Sequence, residues 1–228
     1  MSLEELSEVE RDTRREAVGG VVLVMGLQVV VAIASRAQGW SLWHAPWWSW
    51  LVLVGVELAL LVALNWPVSR RRIREAGMLH EATLTLVAAI GLGNGFALAF
   101  LIGSLVNGGE KSGSQLLFKG IVIWSTNVVV FGLWFWEIDR GGPIRRTQDH
   151  PLPPDFQFPQ MDDAGRAAGG WYPRLVDYVY VSFTNALAFS PTDTMPLTRR
   201  AKELMLLEAS ASALTILLVA ARAVNILK

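Results

Sequence analysis

The sequence predicts an all-α integral membrane protein with five transmembrane helices and one re-entrant half-helix. Hydrophobic residues make up 52% of the 228 positions and the mean hydropathy is +0.37, outside the balance of an ordinary soluble domain. Five apolar segments reach or approach the roughly 20 residues that a helix needs to cross the hydrocarbon core of a bilayer. Tryptophans crowd the ends of two of these segments, as expected of amphipathic rings at the lipid headgroup level. The lipid bilayer is therefore the first partner that the sequence predicts.

The composition excludes several classes of function. The 20 Lys and Arg residues balance the 20 Asp and Glu residues, so no basic surface for nucleic acid is expected. The lack of cysteine excludes disulfides, thiolate metal sites and cysteine nucleophiles. No paired catalytic carboxylates or nucleophile–base spacing stands out, and His150 beside Asp149 offers too few ligands for a metal. We therefore expect no enzymatic activity, no cofactor and no bound metal.

Residues 1–16 are predicted to form a cytoplasmic amphipathic N-terminus that leads into a first span at 17–34. The lead is acidic first and basic next, and the apolar segment follows directly. A cleaved signal peptide is the less favoured alternative, because a long acidic lead is atypical of the start of such peptides.

The second span is predicted at 47–66, between Pro46 and Pro67. Pro46 suits the start of a helix, whereas Pro67 has no amide hydrogen with which to continue one. We therefore expect sharp limits for this helix at both ends.

The third span, at 82–106, carries small residues every four positions on one helix face. Small residues let helix backbones approach each other closely, so this stripe predicts tight helix packing. Its members are Gly91, Gly95, Ala99 and Gly103. The glycines around Asn94 do not predict a nucleotide-binding loop, because no strand precedes them, and a kink or a tight contact is expected instead. Residues 17–106 thus form a predicted three-helix membrane region.

The rest of the chain, 116–228, begins with a fourth span at 116–138 and ends with a helix at 199–227. The connection at 139–174 is rich in Gly, Pro and charge and is expected to lack regular structure. The apolar stretch at 175–189 has about 15 residues, too few to cross a bilayer comfortably and enough for a half-membrane helix. We therefore expect a re-entrant helix, with a sixth full span over 172–191 as the alternative.

The distribution of basic residues predicts a cytoplasmic N-terminus. Most of the 20 Lys and Arg residues lie in one set of connections, including the SRRRIR cluster of a short loop, and cytoplasmic loops are enriched in such residues. The same rule places the re-entrant segment on the cytoplasmic side and the C-terminus outside.

Three motifs in roughly the last 55 residues resemble a known pore module. Tyr-Val-Ser-Phe at 180–183, Asp-Thr-Met-Pro at 193–196 and Leu-Leu-Glu-Ala at 206–209 are similar to the pore helix, the post-filter Asp-x-x-Pro and the inner helix of two-transmembrane potassium-channel pore domains. The resemblance implies a pore-domain-like module at 116–228. Its parts are an outer helix at 116–138, a loop at 139–174, a re-entrant helix at 175–189, a filter-like turn at 188–193 and an inner helix at 199–227. It further implies a homotetramer around the last helix, with monovalent cations as partners.

The whole chain also resembles a group of small bacterial membrane proteins. The shared motifs are Asp-Tyr-x-Tyr-x-Ser-Phe-Thr-Asn at 177–185, Ala-Phe-Ser-Pro-Thr-Asp-Thr at 188–194 and Ala-Arg-Ala-Val-Asn at 221–225. This resemblance implies a multi-pass protein of the bacterial inner membrane and carries no activity with it.

The filter-like turn departs from the Thr-Val-Gly-Tyr-Gly of a potassium channel. The glycines of that filter take backbone angles that Ser190 and Thr192 adopt only with strain, and Pro191 restricts the chain further. We therefore expect a wider path lined by hydroxyl groups, with four Asp193 carboxylates favouring cations by charge. The residues assigned to this path are Ala188, Phe189, Ser190, Pro191, Thr192 and Asp193. The alternative is a helix-ending turn in which Asp193 pairs with a following arginine.

Polar residues inside the apolar segments are functional candidates, because each is costly in lipid. Thr184 and Asn185 lie in the predicted pore helix, and Glu208, Ser212 and Thr215 lie in the inner helix. Glu208 is expected to support the filter-like turn from behind or, as the alternative, to be a protonated carboxyl bonded to a hydroxyl such as that of Thr184. The spacing of Ser212 and Thr215 suits either pore lining or a tight helix contact.

The expected function is a channel-like pore for cations, weakly selective or gated, and inverted in the membrane relative to potassium channels. The alternative is a non-conducting structural or signalling membrane protein that keeps the pore-domain scaffold.

Overall fold

The computed structural model describes residues 3–40, 46–106, 112–147, 152–162, 171–188 and 193–226, and within them the chain is almost entirely helical. Two-residue strands β1 (Phe156–Gln157) and β2 (Met195–Pro196) pair antiparallel. The described helices are α1 (Leu3–Gln38), α2 (Ser49–Asn65), α3 (Pro67–Glu75), α4 (Leu79–Val106), α5 (Gly113–Ile138), α6 (Leu175–Ala188) and α7 (Arg199–Ile226).

Helices α1, α4, α5 and α7 are each long and apolar enough to cross a membrane. Helix α2 has 17 residues and joins α3 at a bend of 72°, and this bent pair is a fifth candidate span. The prediction of an all-α, multi-pass membrane protein is confirmed at this level.

The predicted separation of an N-terminal segment from a first span is not visible in the backbone. Helix α1 runs without a break from Leu3 to Gln38, because no proline interrupts it and Gly20 faces the side chains of Leu133 and Leu175. The charged lead and the apolar span are therefore two parts of one helix of 36 residues.

Pro67 ends α2 as expected, but it also begins α3. It occupies the first turn of the new helix, where the missing amide hydrogen costs nothing, and extended backbone at Trp66 separates the two axes. The short helix that follows carries the arginine cluster.

The charged side chains gather at one end of the bundle. Arg70 donates to Glu10 over 2.9 Å, His80 lies 2.8 Å from Glu137, and Arg174 pairs with Glu16. These contacts join the first half of α1 to α3 and to the residue before α6, and the start of α4 to the end of α5. We call this the arginine-rich end, defined by Arg70, Arg74, Arg146, Arg174 and Arg200.

The opposite end is marked by aromatic and apolar contacts. The rings of Trp40 and Phe118 lie 5.9 Å apart, and the Arg36 guanidinium sits 5.0 Å from the centre of the Trp47 ring. The side chain of Val219 packs on Gly120. The end of α1, the beginnings of α2 and α5 and the later part of α7 therefore meet here, so α1, α2, α4, α5 and α7 all run between the two ends.

Helix α6 begins at the arginine-rich end and runs antiparallel to α5. Val179 lies against Gly132, and four residues later the Phe183 ring is 5.6 Å from that of Trp124. The chain then returns, because β2 pairs with β1 and Arg200 at the start of α7 donates to the carbonyl of Ile138. With 14 residues, α6 is about 21 Å long, short of the roughly 30 Å of a hydrocarbon core.

The connection after α5 contradicts the expectation that it lacks regular structure. It contains β1 and short 3-10 turns at Asp139–Gly141, Arg145–Thr147 and Pro159–Met161. Phe156 is completely buried, with its ring 5.1 Å from Phe135 and 6.0 Å from Tyr178. The described part of this connection therefore packs over the ends of α5, α6 and α7.

Candidate functional site: a buried polar network behind the hairpin

The most concentrated polar chemistry inside the described membrane region surrounds Glu208 on α7. Its carboxyl is completely buried, and Oε2 accepts a hydrogen bond of 2.7 Å from Nδ2 of Asn185 on α6. Oε1 is in hydrogen-bond contact with Ser182, and the Asn185 amide also donates to the carbonyl of Met205 over 2.9 Å. These bonds fasten α6 to α7.

The same network reaches α5. Ser182 Oγ donates to the carbonyl of Val128 over 2.7 Å, and Nδ2 of Asn127 lies 3.0 Å from the hydroxyl of Ser212. The Asn127 amide also reaches the carbonyl of Glu208, at 3.4 Å. We call this set the Glu208 network, defined by Asn127, Ser182, Asn185, Glu208 and Ser212.

The proton count of the network bears on the charge of Glu208. A serine hydroxyl has one proton and the Val128 carbonyl can only accept. When Ser182 donates to Val128, its contact with Glu208 requires a proton on the carboxyl. Such a neutral carboxyl avoids the cost of an isolated charge in the membrane interior, since the described residues place no cation within ion-pair distance of it.

A second cluster lies where the chain returns to α7. We call α6 and this return, through β2 to the start of α7, the hairpin. Asp155 has no exposed surface; its Oδ1 accepts from Nε of Arg200 at 2.6 Å and from Thr198 at 2.5 Å, and Oδ2 accepts from Nη2 of Arg200 at 2.6 Å. The backbone amide of Arg140 completes the shell at 3.2 Å. We call Asp155, Thr198 and Arg200 the Asp155 clamp.

The electrostatics of the clamp favour a charged carboxylate. Burial by itself raises the pKa of Asp155, but the hydrogen bonds from Arg200 and Thr198 outweigh it and hold the pKa below its ordinary value. The clamp therefore joins the connection after α5 to the first turn of α7 through a bidentate, charge-assisted contact.

A third group fixes the start of α6. The Tyr178 hydroxyl donates to Oδ2 of Asp139 over 2.5 Å, and Nη1 of Arg146 donates to that hydroxyl over 2.7 Å. Oδ1 of Asp139 accepts from the backbone amide of Asp155 over 2.7 Å. Both ends of the hairpin are thus bonded to the same turn after α5.

The predicted pore-helix and inner-helix residues have different surroundings. Asn185 is in the Glu208 network, whereas the Thr184 hydroxyl lies 3.0 Å from the carbonyls of Tyr180 and Val181 in its own helix and can donate to either. Ser212 is in the network as well. Thr215 is buried and donates to the carbonyl of Ala211 over 2.8 Å. The inner-helix side chains Glu208, Ser212 and Thr215 are thus all buried within the chain.

The described part of the filter-like turn consists of its two ends. Ala188 is exposed and closes α6, and Asp193 is exposed just before β2. The expected pairing of Asp193 with a following arginine is not seen at Arg200, because Arg200 donates to Asp155 instead. Four assigned residues lie outside the described residues: Phe189, Ser190, Pro191 and Thr192.

The predicted small-residue stripe of α4 divides between two faces. A side chain at Gly91 would touch Val130 and Trp134 of α5 at ordinary contact distance, whereas Gly95 has open space and Ala99 is exposed. Gly103 is half-buried. Contact with α2 is made on a different face, where Leu53 lies against Gly93.

The sequence reading did not identify the loop residues that hold the hairpin. Asp139, Arg146 and Asp155 belong to the connection that is expected to lack regular structure, yet all three are buried. One signal was available, because Phe156 and Phe158 alternate with polar residues directly after Asp155, and aromatic side chains in a polar loop indicate a surface that packs.

Comparison with protein-family models, curated proteins and solved structures finds no match to this chain. Within the residues that the structure describes, no group of three or more His, Asp or Glu side chains is arranged to hold a metal ion.

Proposed function

We propose that the protein is a channel-like membrane protein in which α5, α6 and α7 form a pore-type module and four copies assemble around the last helix. The observation that carries this proposal is the hairpin, which begins and ends at the arginine-rich end. Contacts at both ends support it: Leu175 donates to Glu16 at the start, and Arg200 binds Asp155 and Ile138 at the return. A helix too short to cross the hydrocarbon core, in a segment that returns to the end where it began, is the arrangement expected of a re-entrant pore element.

The proposed assembly follows from the hydrogen bonds that non-helical backbone requires inside a membrane. Non-helical backbone at membrane depth is tolerated only where it is buried in protein or lines a watery cavity. In the proposed tetramer, sister copies shelter the chain that returns from Ala188 to Pro196. Four exposed Asp193 carboxylates then surround a common axis and favour hydrated cations by charge.

The exposed face of α7 favours a pore that is gated. With Glu208, Ser212 and Thr215 turned into the protomer, α7 presents leucines outward. They are Leu206, Leu207, Leu214 and Leu217, each at least 47% exposed. A leucine-lined constriction closes by dewetting until its helices move apart. The same face also favours the second candidate, a non-conducting scaffold whose centre stays dry.

Ion flux into liposomes tests the channel. Purified protein should accelerate the decay of a potassium or sodium gradient, and Asp193→Asn should weaken the preference for cations over chloride. Asp162→Asn is the matched control, because Asp162 is also an exposed carboxylate at the same end and lies outside the hairpin. Decay no faster than in protein-free vesicles, under every stimulus tried, would reject conduction.

Native mass spectrometry separates the two candidates. A tetramer with flux supports the gated pore, whereas a tetramer without flux supports the scaffold. A monomer in a mild detergent and in lipid nanodiscs would reject both, because the hairpin would then have to find its partners within one chain.

A further inference from the structure

A cavity of about 320 Å³ opens at the arginine-rich end, in the part of the bundle away from the hairpin. It lies between α1, α2, α4 and α5, under the turn that follows α5. Its volume falls at the lower end of the range for ligand pockets and corresponds to roughly ten groups of the size of a water molecule.

The floor of this cavity is apolar and belongs to the hydrophobic core. Each of its floor residues is at most 9% exposed. They are Val21 of α1, Leu61 and Leu64 of α2, Leu86 and Val87 of α4, and Leu133 of α5. A ligand made of polar groups alone would lose its hydration here without gaining hydrogen bonds, so the floor selects an apolar body.

The rim of the cavity is charged, and it carries more arginines than carboxylates that pair with them. Arg70 and Arg74 share the single carboxylate of Glu10. Arg14 and Arg145 are both exposed at the rim, and among the described residues no carboxylate lies within ion-pair distance of either. Glu81 is the remaining exposed acid of the rim.

His80 and Glu137 contribute a polar spot between rim and floor. Nδ1 of His80 lies 2.8 Å from Oε1 of Glu137, so Glu137 is already engaged and adds no free negative charge to the cavity. The Nε2 atom of the same ring has no partner within the described part of the chain and remains available to a ligand.

From this arrangement we propose that the cavity binds an amphiphile with a single short apolar chain and an anionic head. The chain fills the floor, and the carboxylate or phosphate head lies between Arg14 and Arg145. This site is independent of the hairpin, so it stands whether or not the protein conducts ions. The same head chemistry can come from a membrane lipid or from a soluble acid.

Binding is tested on the full chain in nanodiscs of neutral phosphatidylcholine, with octanoate as the probe and thermal stabilisation and calorimetry as readouts. Octanoate should raise the melting temperature saturably. Octanol, which keeps the chain and lacks the charge, and acetate or inorganic phosphate, which keep only the head, should bind at least about tenfold more weakly. Equal binding of octanol, or of inorganic phosphate, would overturn the proposal.

Two variants locate the site. Arg14→Gln combined with Arg145→Gln should weaken octanoate binding about tenfold, whereas Arg11→Gln combined with Arg72→Gln removes two exposed charges outside the cavity and should leave it unchanged. Ala17→Leu fills the cavity and should abolish binding, with Ala59→Leu on the exposed face of α2 as its control. Unchanged binding in a variant that still elutes as folded protein, from either the arginine pair or Ala17→Leu, would overturn the assignment.

Nanodiscs that contain a short-chain lysophosphatidylglycerol, an anionic lipid with a single apolar chain, identify the source. If this lipid suppresses the effect of octanoate, the natural ligand is a membrane lipid. If octanoate binds equally well there, the ligand is a soluble amphiphilic acid.

Discussion

Gly132 on α5 is the position where the hairpin approaches most closely. A methyl group added there would lie 2.7 Å from Cγ2 of Val179 and 2.9 Å from its Cα atom. Because the second contact is with backbone, α6 itself would have to move. We expect Gly132→Ala to lower the free energy of unfolding by about 1–3 kcal/mol, measured as a lower melting temperature in detergent.

Gly26 on α1 provides the control for this substitution. It is exposed, and an added methyl group would meet nothing within 4 Å. Gly26→Ala should therefore leave the melting temperature unchanged or raise it slightly, since alanine is the better helix former. Equal losses in the two variants would contradict a specific contact between α5 and α6.

The contrast between these glycines shows what a sequence can reveal at the residue scale. The regular spacing of Gly91, Gly95, Ala99 and Gly103 can be read from the sequence and predicts a tight helix contact, yet Gly95 faces open space. Gly132 has no pattern around it. The need for glycine there depends on which residue of α6 lies opposite, and that is decided by the packing of distant parts of the chain.

Glu208 gives a second prediction at the residue scale. Glu208→Gln keeps one donor and one acceptor, so it can serve both Ser182 and Asn185 and should change the melting temperature little. Glu208→Leu leaves the buried Ser182 and Asn185 without these partners and should cost about 1–3 kcal/mol for each group left unpaired. Thermal unfolding in detergent measures both variants. A loss as large in Glu208→Gln as in Glu208→Leu would indicate that the carboxyl is charged in the folded protein.

At the scale of the elements, the Asp155 clamp joins the connection after α5 to α7. The pKa of Asp155 in the folded protein is lower than its unfolded-state value of about 3.8. The stabilisation from the clamp is therefore fully present above pH 3.8 and is lost as the pH falls through the folded-state pKa. We expect Asp155→Asn to cost about 2 kcal/mol at pH 7, because the charge-assisted bonds to Arg200 are weakened.

Melting temperatures measured from pH 7 down to pH 3 test this dependence. The difference between the native protein and Asp155→Asn should be constant near neutrality and should narrow only below about pH 4. Asp162→Asn serves as the control at an exposed carboxylate of the same connection. A difference that persists unchanged at the lowest pH would contradict a charged Asp155.

The elements were predictable to very different degrees. The span at 116–138 agrees with α5 to within three residues at its start, because lipid imposes both a length and an apolar composition. The predicted first span at 17–34 lies within α1, and the helix continues through the charged lead because nothing in that segment ends it. The connection after α5 was misjudged because Asp139 and Asp155 are buried by partners far along the chain, such as Tyr178 and Arg200, which local composition does not reveal.

At the scale of the whole molecule, the two ends differ in charge. The arginine-rich end gathers the connections after α2, after α5 and before α7, which agrees with a single cytoplasmic face. On this basis we predict that the hairpin enters the membrane from the cytoplasmic side, opposite to a potassium channel. In that orientation the exposed Asp193 is accessible from inside the cell, and this is the side from which a pore would be blocked.

Because the chain has no cysteine, single-cysteine labelling tests the orientation without background. Gln38→Cys lies at the end of α1 opposite the arginines, and Glu75→Cys lies at the arginine-rich end; both positions are exposed. In intact bacterial cells, a membrane-impermeant maleimide should modify Gln38→Cys and should reach Glu75→Cys only after lysis. The reverse pattern would show that the protein has the opposite orientation, with the hairpin and the amphiphile cavity at the outer face of the membrane. Labelling of both positions in intact cells would instead indicate that the helices between them do not separate two compartments.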